Sequence, residues 1–396
     1  VPAAPAPKLG SRGLVTLTRA CTNACIFCDQ QGLPAHDAID ADGVRAALAA
    51  LRATHDEVSF VGGEPGLEPA LATHVAAARA LGFTRIGIQS NASNLLDPLR
   101  VQELVAQGLT DVHLTLLGAE AGVHDYHTGR AGSFDAVLRG LAAARHAGLD
   151  VVVSTVLTRS NFRVLDDVAA LVVARGVAAW CISVPIVAGR AEERFDRVHP
   201  RLGLALPFAV RALSLARARG MAAFVAGAPL CLLGPFGAFA IRGDALTDGT
   251  RDHAPSCDTC ALRSVCPGVD AAYLERFDGD ELAPRDTAVA PDSATIAHPL
   301  AAAFVGPGER APRRAEVSEP SPAKVRRGLP MLGRSVPAVA EVGRGERRSG
   351  ESLRALFPAL FEGDATAPPE DEARDDALRG DEVRGDEVRG DEDGRG

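Results

Sequence analysis

The sequence predicts an α/β protein: an open, partial (β/α)6 barrel of TIM-like type, a small C-terminal cysteine-stapled module and a disordered tail. Three observations carry this. Between Gly13 and about Gly220, six short β-branched runs alternate with longer Ala- and Leu-rich amphipathic stretches, a pattern that builds a parallel sheet flanked by helices. After Gly220 the alternation stops and cysteines cluster. Beyond about residue 276, Pro, Gly, Ser and charge replace any periodicity, a composition that buries too little apolar surface to order itself.

Residues 1–12 carry neither a basic n-region nor an apolar h-region, so they read as a short leader and not as a secretory signal. Strands are expected at 14–18, 57–61, 85–90, 111–116, 150–157 and 179–185. Helices are expected near 40–54, 67–81, 96–107, 133–147, 162–176 and 203–219. Six units instead of eight imply a barrel left open, within a domain spanning 13–220, and in such folds chemistry sits at the C-terminal ends of the strands. Residues 221–275 read as a second module in which 239–246 form a hairpin turning at Gly243. Residues 276–396 are the expected tail, whose removal should leave the catalytic body working. It is basic over 309–350, with ten basic and five acidic residues, and ends in an acidic RGDEV repeat from Arg379. Within it Leu353, Leu356, Phe357, Leu360 and Phe361 mark a short amphipathic stretch broken at Pro358. A docking segment and an idle apolar patch fit that stretch equally.

Bulk properties exclude several function classes. No run of eighteen apolar residues exists to span a membrane. The net charge of −9 resides entirely in residues 362–396, which hold fourteen acidic residues and five Arg. The rest of the chain is balanced, without the basic excess expected of a nucleic-acid partner. The eight cysteines fall mostly in two clusters. Clustering of that kind points to metal and a cytoplasmic location, because disulfide proteins are smaller and spread their cysteines.

The first cluster, Cys21-x3-Cys25-x2-Cys28, directly follows the first strand, where a barrel places its chemistry. Three thiolates hold three irons of a [4Fe–4S] cube and leave the fourth open to a small molecule. A structural zinc site wants a fourth ligand, yet the next cysteine is Cys181 and the nearest histidine is His36. Three buried cysteines or a partial zinc knuckle are the plainer alternatives. The second strand ends in Gly62-Gly63-Glu64-Pro65, where glycines allow close backbone approach and Glu64 can pair with an ammonium. The second cluster is Cys257-x2-Cys260-x5-Cys266, with Cys231 upstream. Four thiolates close one iron–sulfur cluster, although tetrahedral zinc accepts the same set.

Together the triplet and the Gly62–Pro65 segment resemble the signature of radical S-adenosylmethionine (SAM) enzymes. The resemblance covers about residues 13–275. It implies a [4Fe–4S] cluster on Cys21, Cys25 and Cys28, with SAM at the open iron. It also implies SAM contacts from Gly62, Gly63, Glu64 and Pro65, and from Ser90 and Asn91 at the end of the third strand. There Gln89-Ser90-Asn91-Ala92 is similar to a family segment, with Ala92 where a glycine is usual. Ser154 and Ser183 would face the barrel mouth, and Ser154 is a further SAM candidate. His124 and His127 fit acid–base work or loop structure, the latter better, and Cys181 fits a small core residue.

Cys231, Cys257, Cys260 and Cys266 resemble part of the SPASM and twitch modules, which hold auxiliary iron–sulfur clusters. Asp248 and Asp270 replace expected cysteines, which implies one auxiliary cluster and not two. The implied activity is reductive cleavage of SAM to a 5′-deoxyadenosyl radical that abstracts hydrogen from a substrate. Flavodoxin or ferredoxin would donate the electron. The substrate would be a precursor peptide or protein side chain, or alternatively a small molecule of cofactor biosynthesis. A non-catalytic iron–sulfur or zinc protein that binds a partner is the remaining reading.

Overall fold

The computed structural model describes residues 12–31, 40–241, 251–286 and 298–304, all within the compact unit Val1–Ser318. Seven parallel strands lie side by side in chain order: β1 (Arg12–Thr18), β2 (Glu57–Gly62), β3 (Arg85–Ser90), β4 (Asp111–Thr115), β5 (Asp150–Val156), β6 (Ala179–Ser183) and β7 (Ala222–Ala226). Among the described residues β1 and β7 do not pair, so the barrel is open on that side. The strand β7 is a correction to the six expected. Its Ala-Ala-Phe-Val-Ala sequence blends into the alanine-rich helix before it. Its place is fixed only by the ladder to β6, from Ala179↔Ala222 to Ser183↔Ala226.

The helices are α1 (Ala41–Arg52), α2 (Leu71–Ala80), α3 (Pro98–Gln107), α4 (Ala121–Thr128), α5 (Ser133–His146), α6 (Leu165–Ala174), α7 (Gly189–Glu193), α8 (Phe195–Val198), α9 (Leu202–Ala218), α10 (Leu230–Leu233) and α11 (Ala271–Phe277). Local chemistry sets several ends. Asp40 caps α1 by accepting from the Gly43 amide, and Asp97 caps α3 just before Pro98, which suits a first turn. The outward strand faces supply Val58, Phe60, Ile86, Ile88, Val112, Leu114, Trp180 and Ile182 to a core closed by Val44, Leu48, Val101, Leu104, Leu141 and Val168 from the helices. Each such side chain contributes about 1.5–3 kcal/mol on burial.

The inward faces of β1–β4 carry polar side chains. At the start of β1, the Arg12 guanidinium binds Glu57 Oε2 at 2.9 and 3.0 Å, Ser59 Oγ at 3.0 Å and Asp111 Oδ2 at 3.2 Å. Burial opposes its charge, and Asp111 with Glu57 outweighs burial, so its pKa rises above the ordinary value. Gly87 makes room for this network: a Cβ there would stand 2.5 Å from Asp111 Oδ1 and 2.6 Å from Arg12 Nη1. Removing one partner of a buried ion pair leaves the other uncompensated, at about 3–5 kcal/mol. Asp111→Ala should therefore lower the urea-unfolding free energy by about that amount, and a loss under about 1 kcal/mol would refute the account.

The folded body passes the expected boundary at 276. Leu282 is buried, and Glu281 accepts from the Leu202 and Gly203 amides at 3.3 and 3.0 Å. Ala301, Ala303 and Phe304 pack with Val152, Cys181 and Phe224 on the inner sheet face. Of the hairpin expected over 239–246, Ala240 instead bridges Val225 in parallel, and residues 242–250 lie outside the described residues. The basic and acidic stretches and the Leu353–Phe361 stripe lie outside them too. No helix among the described residues is long and apolar enough to cross a membrane.

Candidate active site

The cysteine loop leaves the C-terminal end of β1 and is pinned from two sides. The Ala24 and Ile26 amides donate to the carbonyls of Thr128 and His127, at 2.8 and 2.9 Å, where α4 ends. From the start of α7, the Arg190 amide donates to Cys28 O at 2.9 Å and its Nη1 to Cys25 O at 2.8 Å. Cys21, Cys25 and Cys28 thereby line one cavity of about 480 Å³, with Gly62, Gly63, Ser90, Asn91 and Ser154 in its wall. Burial pushes the Cys25 thiol up to about 12, with Cys28 and Cys21 adding and Arg190 opposing. Burial also raises Cys21 and Cys28.

Three clustered thiols facing a cavity are a donor set suited to a thiolate-bound iron cluster, which removes their protons on binding. Iron loading is therefore expected to strengthen as pH rises between about 7 and 9, read as iron per chain after anaerobic reconstitution. A flat profile would sink this point.

The β2 end is built for close approach. The Gly63 and Glu64 amides donate to Thr18 O and Ala20 O, each at 2.8 Å, and Gly62 adopts φ +137°. A Cβ on Gly63 would stand 2.2 Å from Ala20 O and 2.6 Å from Arg19 O. Glu64 does not face the cavity. It is fully buried, its Oε1 accepting from Ser90 Oγ at 2.8 Å and the Gly66 amide at 3.0 Å, its Oε2 from the Asn91 amide at 2.7 Å. Burial raises its pKa against those three bonds. The expectation that Glu64 meets an ammonium is thus replaced: its carboxylate ties the β2 end to the β3 end. Pro65, buried beside it, opens a 3₁₀ turn away from the cavity wall.

Asn91 is the side chain that connects β3 to the cysteine loop. Its Nδ2 donates to Thr22 Oγ1 at 3.0 Å and stands 3.6 Å from Cys21 Sγ. The next residue, Ala92, adopts φ +65°, the left-handed conformation that favours glycine. Ser154 and Ser183 both line the cavity. Cys181 lies on the same inner face, buried, its thiol pushed well up by burial alone.

The two histidines divide. His127 is structural, its Nδ1 bonded to Val123 O and its Nε2 to Thr158 Oγ1 at 2.7 Å. His124 lines the cavity and accepts from the Leu117 amide through Nδ1, and burial holds its pKa down to about 4. It is a neutral donor through Nε2 at physiological pH.

Cys231, Cys257, Cys260 and Cys266 line a second, smaller cavity. The Leu230 amide donates to Cys266 Sγ and the Arg285 amide to Cys260 Sγ, each at 3.4 Å. Burial, with Cys266, Cys257 and Cys260 adding, pushes the Cys231 thiol up to about 11. Four thiols with amide donors on two of them suit a thiolate-held cluster. Tetrahedral zinc accepts the same four thiols.

Arg251, which no motif marks, lies between the two cavities. Its Nε donates to Pro267 O at 2.8 Å, and its Nη2 to Gly227 O and Gly268 O at 2.6 and 2.7 Å. Neither Arg190 nor Arg251 was legible from the sequence, because their partners lie far along the chain and are backbone carbonyls without side-chain identity.

Residues 15–172 match the model of the Radical SAM superfamily. The chain is 26% identical over 185 residues to an AdoMet-dependent heme synthase of Nitratidesulfovibrio vulgaris, covering 46% of this chain and 50% of that protein. It is 31% identical over 193 residues to the mycofactocin maturase MftC of Mycolicibacterium smegmatis, covering 46% and 47%. The chain thus spans about half the length of these curated relatives. Among solved structures, Streptococcus suis SuiB bound to its precursor peptide SuiA aligns at 14% identity and a TM-score of 0.47, over 56% of this chain and 49% of that one.

Proposed function

We propose that this chain reductively cleaves S-adenosylmethionine and abstracts a hydrogen atom from a peptide or protein side chain, a reading supported by the match of residues 15–172 to the Radical SAM superfamily. One observation carries the reading. The three cysteines of the β1 loop, the Gly62–Gly63 backbone and the Ser90, Asn91 and Ser154 side chains wall a single cavity. When bound, a [4Fe–4S] cluster reduced by an external one-electron donor would supply one electron to the sulfonium of SAM, whose cleavage would give methionine and a 5′-deoxyadenosyl radical.

The chain's own residues hold and orient. Cys21, Cys25 and Cys28 are the cluster ligands, fixed by Arg190 and the end of α4. The Gly62–Gly63 backbone, packed against the β1 end where a side chain would collide, lines the cavity and receives the methionyl end of SAM. Asn91, locked to Thr22, and Ser154 offer hydrogen bonds to the remainder of SAM, while Glu64 holds this frame from behind. Cys231, Cys257, Cys260 and Cys266 hold one auxiliary iron–sulfur cluster, supported by the Leu230 and Arg285 amides on two of the sulfurs. A ferredoxin or flavodoxin is the electron donor.

Reconstituted anaerobically and given SAM with dithionite, the protein should form 5′-deoxyadenosine. None formed by protein with a spectroscopically verified cluster would refute the reading. Gly63→Ala should weaken SAM binding by about tenfold or more, some 1.4 kcal/mol, in calorimetry on reconstituted protein, because its methyl group collides with backbone. Unchanged affinity would remove Gly63 from the SAM site.

Similarity to MftC supports the peptide substrate. Similarity of comparable extent to heme synthases supports the second reading, a small molecule of cofactor biosynthesis.

A further inference from the structure

One charged side chain of the large cavity is only partly used. The three bonds of Arg251 run from Nε to Pro267 O and from Nη2 to Gly227 O and Gly268 O. A guanidinium has five N–H donors, so these bonds leave both donors on Nη1. Among the described residues Nη1 has no hydrogen-bond partner, and the group's partners are all neutral carbonyls. Asp270, whose charge reaches Arg251 through space, caps α11 by accepting from the Ala272 amide at 2.9 Å. Burial pulls the Arg251 pKa below its ordinary value, with Asp270 and Cys266 opposing. The unused edge belongs to the large cavity. Arg251 is half-buried, and it lines that cavity but not the smaller one walled by Cys231, Cys257, Cys260 and Cys266. Gly227, another wall residue, lies against it. A Cβ on Gly227 would stand 3.5 Å from Arg251 Nη1 and 3.5 Å from Val184 Cβ, so the glycine leaves that space open.

We propose that Arg251 anchors a carboxylate of the substrate in the large cavity. An arginine N–H binds a carboxylate oxygen through a charge-assisted hydrogen bond. The wall beside it, formed by Ser183, Val184, Pro185, Ile186 and Ala226, carries no acid. Asp29, the one acid lining this cavity among the described residues, belongs to the cysteine loop. A single unpaired positive charge matches a single negative one. A phosphate dianion would bring a second charge against Val184, Ile186 and Ala226, where no counter-charge waits. The residues placed against SAM follow β1, β2 and β3 or lie on β5, whereas Arg251 meets the wall after β6 and β7. The carboxylate is therefore the substrate's and not that of SAM. The inference rests on the proposed function and deepens it, because the peptide then presents an acidic side chain or its C-terminus.

The test follows acetate on the full chain by saturation-transfer difference, before and after cluster reconstitution. Acetate should bind saturably in both forms and with SAM present, and methylammonium should not bind. Inorganic phosphate should displace acetate only at about tenfold higher concentration or more. Val184→Glu brings a carboxylate of the chain toward Nη1 and should abolish acetate binding. Val184→Gln, alike in shape and neutral, should keep it within about threefold. Arg251→Gln should abolish it too, and the Val184 pair keeps the test decisive where that variant does not fold. N-acetylglycine and the α-amide of N-acetylglutamate carry a C-terminal and a side-chain carboxylate. One of them should bind about tenfold more tightly than acetate, which identifies the source. No saturable acetate binding, equal binding of methylammonium, tighter phosphate, displacement by SAM, loss on reconstitution, acetate retained in folded Val184→Glu, or neither peptide acid exceeding acetate would each overturn the inference. Wild-type 5′-deoxyadenosine yield is measured in parallel. Its absence from cluster-verified protein that binds acetate would refute the radical SAM reading and leave Arg251 standing as a carboxylate site.

Discussion

Cys25→Ala is expected to abolish 5′-deoxyadenosine formation and to remove the first cluster, about four irons per chain, while leaving the polypeptide folded. Cys25 is the middle ligand of the triplet and the one whose thiol burial raises to about 12. Its backbone, not its side chain, is what the fold holds: Arg190 binds Cys25 O, and the flanking Ala24 and Ile26 amides bind the α4 end. An alanine therefore keeps every one of those bonds and loses only the thiolate. Two remaining thiolates cannot hold a cube against loss of iron. Iron content, the visible absorbance of the cluster and 5′-deoxyadenosine by mass spectrometry check this together, with the melting temperature of the metal-free protein as the control. Residual cleavage above about one hundredth of wild type, which would correspond to less than 2.7 kcal/mol of lost transition-state stabilisation, would show that Cys25 is not an essential ligand.

Ending the chain at Phe277 should prevent folding, whereas ending it at Ser318 should not change the melting temperature. The shorter chain loses Glu281, whose carboxylate accepts from the Gly203 amide of α9 at 3.0 Å and shares the Leu202 amide with Tyr273 Oη. No side chain of its own caps that helix. It also loses the Arg285 amide on Cys260, and Phe304, whose ring packs 5.7 Å from Phe224 and covers the inner face of β6 and β7. Burial of Phe304 alone is worth about 2–3 kcal/mol. The newly exposed inner face and the lost Gly203 partner bring the loss to a large fraction of the 5–15 kcal/mol typical of a whole domain. The longer chain retains the whole compact unit. Circular dichroism melts of both chains decide it, and a shorter chain that melts like the parent would refute the claim. The same truncation, assayed for SAM cleavage, tests the expectation that everything after 276 is dispensable for catalysis.

What the sequence made legible was local. Six strands and six helices announced themselves through period and β-branching, and the cysteine spacing located both metal-suited sites. The misses share a physical cause. The strand β7 has too little side chain to signal itself and exists because β6 offers a ladder. Residues 298–304 include three consecutive alanines and gain their burial from Val152, Cys181 and Phe224, more than seventy residues upstream. Glu64 was read as a ligand because a carboxylate suits an ammonium. The β3 end, supplying one hydroxyl and one amide, claimed it first.

Arg251 carries one more consequence. Its guanidinium joins Gly227, at the lip of the large cavity, to the two carbonyls that follow Cys266. Coupling between two sites acts equally in both directions. Any occupant of the large cavity that displaces Gly227 is therefore expected to shift the segment that follows Cys266, and a ligand held by the second cysteine site is expected to alter the fit of that occupant by the same factor. The barrel and the cysteine module are in this sense one instrument with a single tuning peg, and a substitution at Arg251 would detune both ends at once.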